Sequence, residues 1–277
     1  MRALTSSGLQ TAVSGAYPGL YKATIMDNRN FSDYILHLAD NVLILGQRNS
    51  EWCGHGPVLE QDIAITNISL DLIGQARSLY QYAAELVGNG ATEDTLAYLR
   101  DARQFKNCLL VEQPNGDWAH TITRQFLFSV YQRLLYTKLL QHSDSRLAAI
   151  AEKSLKEVTY HVRWSSEWVI RLGDGTAESN ERMCKAVETL WPYTGELFLP
   201  SSYEAALGKE GLTVNVSSLQ ADWEQQVREI FSEATLPYPP SGIWMQRGGK
   251  EGIHTEHLGY ILAEMQFMQR AYPGLEW

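Results

Sequence analysis

Residues Val58–Val87 read VLEQDIAITNISLDLIGQARSLYQYAAELV. Ile65, Ile68, Leu72, Ile73, Leu79 and Tyr82 recur there at helical spacing, and Gly88-Asn89-Gly90 follows as a C-cap. The stretch predicts one long helix. Working outward, Tyr34, Leu38, Val42 and Leu45 keep the same period from Phe31 to about Arg48, and Ile35, Leu43 and Ile44 widen that face. Ser50–Pro57, with its Gly and Pro, reads as the turn between the two. Trp118–Gln141 and Ser145–Leu172 read as a third and a fourth helix, separated at Ser143-Asp144. Four helices of roughly 20–30 residues joined by short connections predict an antiparallel bundle.

Shorter elements fill the rest. A helix is expected over 92–106, before the break Glu112-Gln113-Pro114-Asn115-Gly116. Beyond Gly173-Asp174-Gly175-Thr176, helices are expected over 177–197 (broken near Trp191-Pro192), 202–208 and 217–233. A Pro/Gly-rich loop over 237–252 precedes a last helix over 254–270. No strand alternation and no repeat appears, so the fold class is all-α: a four-helix bundle with additional C-terminal helices. Residues 1–25, rich in Ser, Thr, Gly and Ala, read as a disordered or non-native extension, and 26–277 as one helical domain.

With 277 residues, 44% of them hydrophobic, the chain buries a substantial core, and no apolar run approaches the length of a membrane span. A net charge of −9 excludes a general nucleic-acid binder while leaving room for a local basic patch. Cys53, Cys108 and Cys184 are isolated, as reduced thiols of a cytoplasmic protein are. The eight Trp and fourteen Tyr are expected mostly in the core and partly at an interface.

Two helices carry pairs at i, i+3: Leu72/Gln75 and Val158/His161. In four-helix di-iron proteins, two helices each give a Glu and two more each give an inward Glu-x-x-His pair. Here Leu and Val, which have no lone pairs, stand where carboxylates are needed. The frame is kept and the chemistry removed. His161 has Glu157 one turn before it, so it reads as a surviving ligand or as a buried histidine bonded to Glu157 or across the bundle. One imidazole does not hold two irons, which favours the second reading. Asp71 and Gln75 share a face and form either a buried network or a solvated side; Asp40-Asn41 leaves the same choice open.

Two further groups are weighed. Trp52-Cys53-Gly54-His55 offers a thiol and an imidazole with no other Cys or His nearby, and reads as a packing turn. Gly248-Gly249-Lys250 before a helix is similar to an anion-binding turn, without phosphate-loop spacing. His254 and His257 flank Glu256 at a spacing other than His-Glu-x-x-His. Lys250, His254, Glu256 and His257 are candidates for a partner contact or an anion site, with a structural role as the alternative.

A specific resemblance rests on Glu51-Trp52-Cys53-Gly54-His55-Gly56-Pro57, Leu70–Arg77, Leu110–Gly116, Gly248-Gly249-Lys250, His254–Gly259 and Ala263–Gln266. From about Phe31 to Trp277 the chain resembles the structural C-subunit family of bacterial phenylacetyl-CoA epoxidases, the ring-epoxidising monooxygenases of aerobic phenylacetate degradation. The resemblance implies a ferritin-like fold and a non-catalytic subunit that pairs with a related catalytic A subunit carrying the di-iron centre. It also implies an FAD and iron–sulfur reductase using NADPH, other complex subunits as further partners, and neither metal nor cofactor in this chain. By the same resemblance, the relative's ligand positions fall on Asp40 or Asn41, Leu72, Gln75, Ser129, Val158 and His161, and His161 alone keeps a clear ligand. The competing reading is an independently active di-iron or single-metal oxidase using His161, Glu157, Asp71 and Asp40. It needs ligands displaced by one position, a rotation of ~100° around a helix. An iron-storage protein would lack the same carboxylates.

Overall fold

The computed structural model describes residues 18–275, with side chains from Arg29 onward. Met1–Tyr17, most of the expected extension, lie outside the described residues. The helices, in chain order, are α1 (Pro18–Ser50), α2 (Leu59–Val87), α3 (Glu93–Tyr98), α4 (Leu109–Glu112), α5 (Trp118–Leu139) and α6 (Ser145–Gly173). The C-terminal part adds α7 (Ala177–Leu190), α8 (Ser202–Gly208), α9 (Gln220–Glu233), α10 (Glu256–Met265) and α11 (Phe267–Ala271). Among the described residues there is no strand.

The bundle is α1, α2, α5 and α6. Each buries one apolar face: Leu38, Val42 and Leu45 from α1, Ile65, Ile68 and Leu79 from α2, Ile122 and Phe126 from α5, Val162 and Val169 from α6. Hydrogen bonds fix the directions. Asp40 faces Tyr80 while Gly46 lies against Leu72 and Ile73, so α1 and α2 are antiparallel. Gln75 meets Glu157 and Tyr82 meets Asp144, so α2 and α6 are antiparallel too. The tight turn from α5 to α6 then sets α5 parallel to α2. Parallel neighbours need a crossover, and residues 88–117 provide it with α3 and α4 inside. This corrects the expectation that every bundle connection is short. One long crossover is the ferritin-like arrangement.

Local chemistry explains the element ends. Thr92, Asp117, Asp144, Thr176 and Ser201 cap the helices that follow them. The helix expected over 92–106 instead stops at Tyr98, because Arg100 turns inward to the buried Asp40 while its Nε bonds back to the Leu96 carbonyl. The helix expected over 254–270 divides at Gln266, whose amide donates to the carbonyls of Ala97 (3.2 Å) and Arg100 (3.0 Å). An aromatic cluster joins α9 to the bundle: Trp223 lies 5.6 Å from Trp191 and 5.2 Å from Phe198, and its Nε1 donates to the Leu127 carbonyl at 2.9 Å.

Trp223→Ala is expected to cost about 3–5 kcal/mol in urea unfolding. Trp223→Phe keeps a ring and should cost clearly less. Equal losses would mean that the hydrogen bond, not the packing, holds α9 in place.

Candidate functional site

The bundle interior is where ligand chemistry would sit. Leu72 on α2 and Val158 and His161 on α6 are all at 0% exposure. His161 Nε2 lies 3.1 Å from Asp71 Oδ2 on α2, and its Nδ1 is buried with no partner. The intrahelical partner considered for it, Glu157, is engaged elsewhere: Glu157 accepts from Gln75 Nε2 at 2.8 Å. The antiparallel register is the reason, since it sets residue 71 opposite 161 and residue 75 opposite 157. Gln132 on α5 extends the chain, donating to Gln75 Oε1 (2.9 Å) and to the Tyr136 hydroxyl (3.1 Å). Gln132 Oε1 itself finds no donor. Thus Gln75 and Glu157 belong to a polar ladder, and Asp71, half-exposed, closes a separate pair.

The other positions are also committed. Ser129 Oγ accepts from Gln125 Nε2 at 2.7 Å, and Gln125 Oε1 accepts from Asn49 Nδ2 at 2.6 Å. Asp40, at 0% exposure, accepts from Tyr80 Oη (2.5 Å), the Lys106 amide (2.8 Å) and the Arg100 guanidinium. Asn41 Oδ1 accepts from the Cys108 amide at 2.8 Å, and Asn41 Nδ2 faces the His37 ring at 3.3 Å. Burial, then the Lys250 ammonium, push His37 down to about 4, so neutral His37 donates from Nδ1 to the Lys106 carbonyl (2.6 Å). Asp40 and Asn41 therefore face the crossover segment 100–108.

This set does not fit a dinuclear iron centre. Two positions are aliphatic, the amide and hydroxyl oxygens are hydrogen-bonded, and the carboxylates of the oxidase reading fall into three separate partnerships: Asp71 with His161, Glu157 with Gln75, Asp40 with Arg100. Among the described residues no three His, Cys, Asp or Glu side chains converge on a common point.

Several of the sequence blocks that carry the resemblance lie at seams between elements. Glu51 binds Arg48 (2.9 Å) and Asn115 (2.7 Å), and Trp52 Nε1 donates to Thr121 Oγ1 (2.8 Å). Cys53 and His55 are exposed, and His55 Nδ1 lies 3.1 Å from the Cys53 carbonyl. Arg124, fully buried, donates to the Gln113 carbonyl, to Asn115 Oδ1 (both 2.6 Å) and to Asn49 Oδ1 (3.2 Å). Burial, then Arg48, lower its guanidinium to about 9.

Lys250 and His254 point inward, which corrects the idea of an anion site on Lys250. Lys250 is 3% exposed, pairs with Glu204 at 3.2 Å and donates to the Leu199 carbonyl at 2.9 Å. Burial alone would raise the Glu204 carboxyl; Lys250 and the Ser201 amide outweigh it and hold it low. Gly249 is glycine because a Cβ would stand 2.3 Å from the Asn107 carbonyl; Gly252, at φ +78°, meets Arg103 equally closely. His254 Nδ1 lies 2.8 Å from Glu112 and Nε2 lies 2.9 Å from the Phe105 carbonyl, so both nitrogens donate and the ring is an imidazolium. Burial would lower the His254 value, but Glu112 and then the Phe105 carbonyl raise it. Glu256 is exposed and His257 half-exposed on α10.

Sequence reasoning missed Arg100, Glu112, Glu196 and Glu204 as the groups that anchor these seams. Their partners lie far away in the chain. A local signal existed only at Ser201-Ser202-Tyr203-Glu204, whose capping box marks Glu204.

The profile of the family described as "Phenylacetic acid catabolic protein" matches residues 21–277. A protein of Escherichia coli (strain K12), named as the C subunit of 1,2-phenylacetyl-CoA epoxidase, is 51% identical over 244 residues, 88% of this chain and 98% of that relative.

Asp40→Asn strands the Arg100 cation in the interior and should cost about 3–5 kcal/mol in chemical denaturation; a loss below ~1 kcal/mol would contradict the buried pair. For His254 the folded value is raised, so its contribution is complete below about 6.5 and is lost as pH rises through the raised value. Wild-type stability minus that of His254→Gln should therefore shrink from pH 6 to 9, and a gap that widens would refute the imidazolium.

Proposed function

The chain belongs to the phenylacetic acid catabolic protein family, and from that premise we propose that it is the non-catalytic structural subunit of a multicomponent phenylacetyl-CoA ring-epoxidising monooxygenase. In this reading it works in the cytoplasm, binding and stabilising a related catalytic A subunit that holds the di-iron centre. An FAD and iron–sulfur reductase supplies electrons to that partner, and other subunits complete the hetero-oligomer. The E. coli relative carries the name of that enzyme's C subunit.

The observation that carries the reading is the filled interior. Leu72 and Val158 are buried where a metal site would place carboxylates, and Gln75, Gln132 and Glu157 spend their polar atoms on one another. Carboxylates in that position without metal would be charges stranded in an apolar core. Aliphatic side chains let the bundle pack with no ion, as a subunit whose task is to hold a shape requires. Among the described residues no helix is long and apolar enough to cross a membrane.

The test is iron per chain, measured on this subunit alone and after copurification with its A partner. The expected result is iron only with the partner, in the amount the partner's ligands explain, and His161→Ala leaving turnover of the assembled complex nearly unchanged. Two irons per isolated chain, or abolished turnover in a stably assembled His161→Ala complex, would overturn the structural reading in favour of the oxidase.

A further inference from the structure

A groove of about 570 Å³ lies between α5, α6 and α9, within the usual range for small-molecule sites. Arg133 from α5 and Lys156 and Arg163 from α6 line it, together with one carboxylate, Glu229. Several cations elsewhere on the chain have acidic partners: Arg48 with Glu51, Arg100 with Asp40, Arg146 with Glu85, Lys250 with Glu204. These three have none. Among the described residues no carboxylate lies within 4.0 Å of any of them. Arg133 is tied to the neutral Gln226 amide oxygen, Arg163 stands 5.6 Å from the Tyr160 ring centroid, and Glu229 is taken up by Gln225 at 3.0 Å.

In a chain of net charge −9, three unpaired cations around one concavity make a local positive field. Two are guanidinium groups, whose planar forks match phosphate oxygens. The floor is apolar, built from Phe126, Val130 and Ile230, and Tyr160 adds an aromatic face. Charge at the rim over an apolar floor suits a molecule with a phosphorylated end and a flat, less polar body. We infer that this groove binds a phosphate-bearing small molecule of the nucleotide class. The inference stands apart from the subunit's place in the epoxidase, and either can fail without the other.

The full chain would be titrated calorimetrically with ADP, with inorganic pyrophosphate and with adenosine at low salt. Saturable binding of ADP at one per chain, with no binding of adenosine, is expected. Lys156→Glu combined with Arg163→Glu, both on the exposed rim, should weaken ADP at least about tenfold while leaving the circular dichroism and melting curve in place. Arg133→Gln should weaken it as well. ADP tighter than pyrophosphate would identify a nucleotide as the source of the phosphate, and equal binding a bare polyphosphate; both support the site. Absence of saturable binding, or ADP affinity unchanged by the rim reversals, would overturn it. An oligoglutamate peptide displacing ADP with higher affinity would overturn it too, in favour of an acidic segment of a partner chain.

Discussion

Asp40 sits in α1 with no exposure and survives there because Tyr80, Arg100 and the Lys106 amide all donate to it. A carboxylate withdrawn from water must be met by donors or it destabilises the fold. The same requirement recurs at Glu112, Glu196 and Glu204, each at most 2% exposed. Glu112 takes Asn107, His254 and Thr255; Glu196 takes the amides of Leu109 and Gly248; Glu204 takes Ser201 and Lys250. Every one of these carboxylates joins segments that the bundle alone would not hold. Asp40 fastens the crossover to the bundle, while Glu112, Glu196 and Glu204 fasten the crossover, the segment before α8, α8 itself and the Gly248–Thr255 loop to one another. One partner removed leaves the other charge buried, so these joints are set as units.

The distribution of acids then explains the interior. A helical bundle keeps inward carboxylates only where something neutralises them. At the bundle centre Leu72 and Val158 take their place, and acidic groups near the centre are reduced to Glu157 and Asp71, both half-exposed and both paired. At the periphery, where backbone amides and cations are plentiful, buried carboxylates persist.

How much of this was legible depends on the range of the interaction. The ends of α2, α5 and α6 follow from local signals: Gly88 after Val87, Asp117 before Trp118, Asp144 before Ser145. The aliphatic character of positions 72 and 158 was legible as well, because Leu72 and Val158 carry it in their own side chains. What stayed hidden is pairing across distance. Asp40 is ambiguous until Arg100 is brought against it across sixty residues, and that same contact ends α3 early. Glu157 and His161 share a helical face, yet their partners come from α2, which only the register of two long helices decides. Gly248-Gly249-Lys250 misleads for a further reason. Glycines before a cation suit an anion, but here they admit the close approach of the Ile253 carbonyl at Gly248 and the Asn107 carbonyl at Gly249, and the cation turns inward to Glu204.

The polar ladder Glu157–Gln75–Gln132–Tyr136 is the remaining puzzle of a core that apolar residues could have filled. Neutral amide hydrogen bonds add little net stability, about 1 kcal/mol each, while an unmade one inside the bundle costs as much or more. That asymmetry makes the ladder a constraint on geometry. It ties α6 to α2 and α2 to α5 at one level, and sliding any helix by a turn would leave several buried amide groups unmet. Aliphatic packing alone tolerates such slips more readily, because one methyl-lined notch resembles the next. A bundle with one fixed helical surface needs its helices in one register. The ladder supplies that register through side chains of α2, α5 and α6.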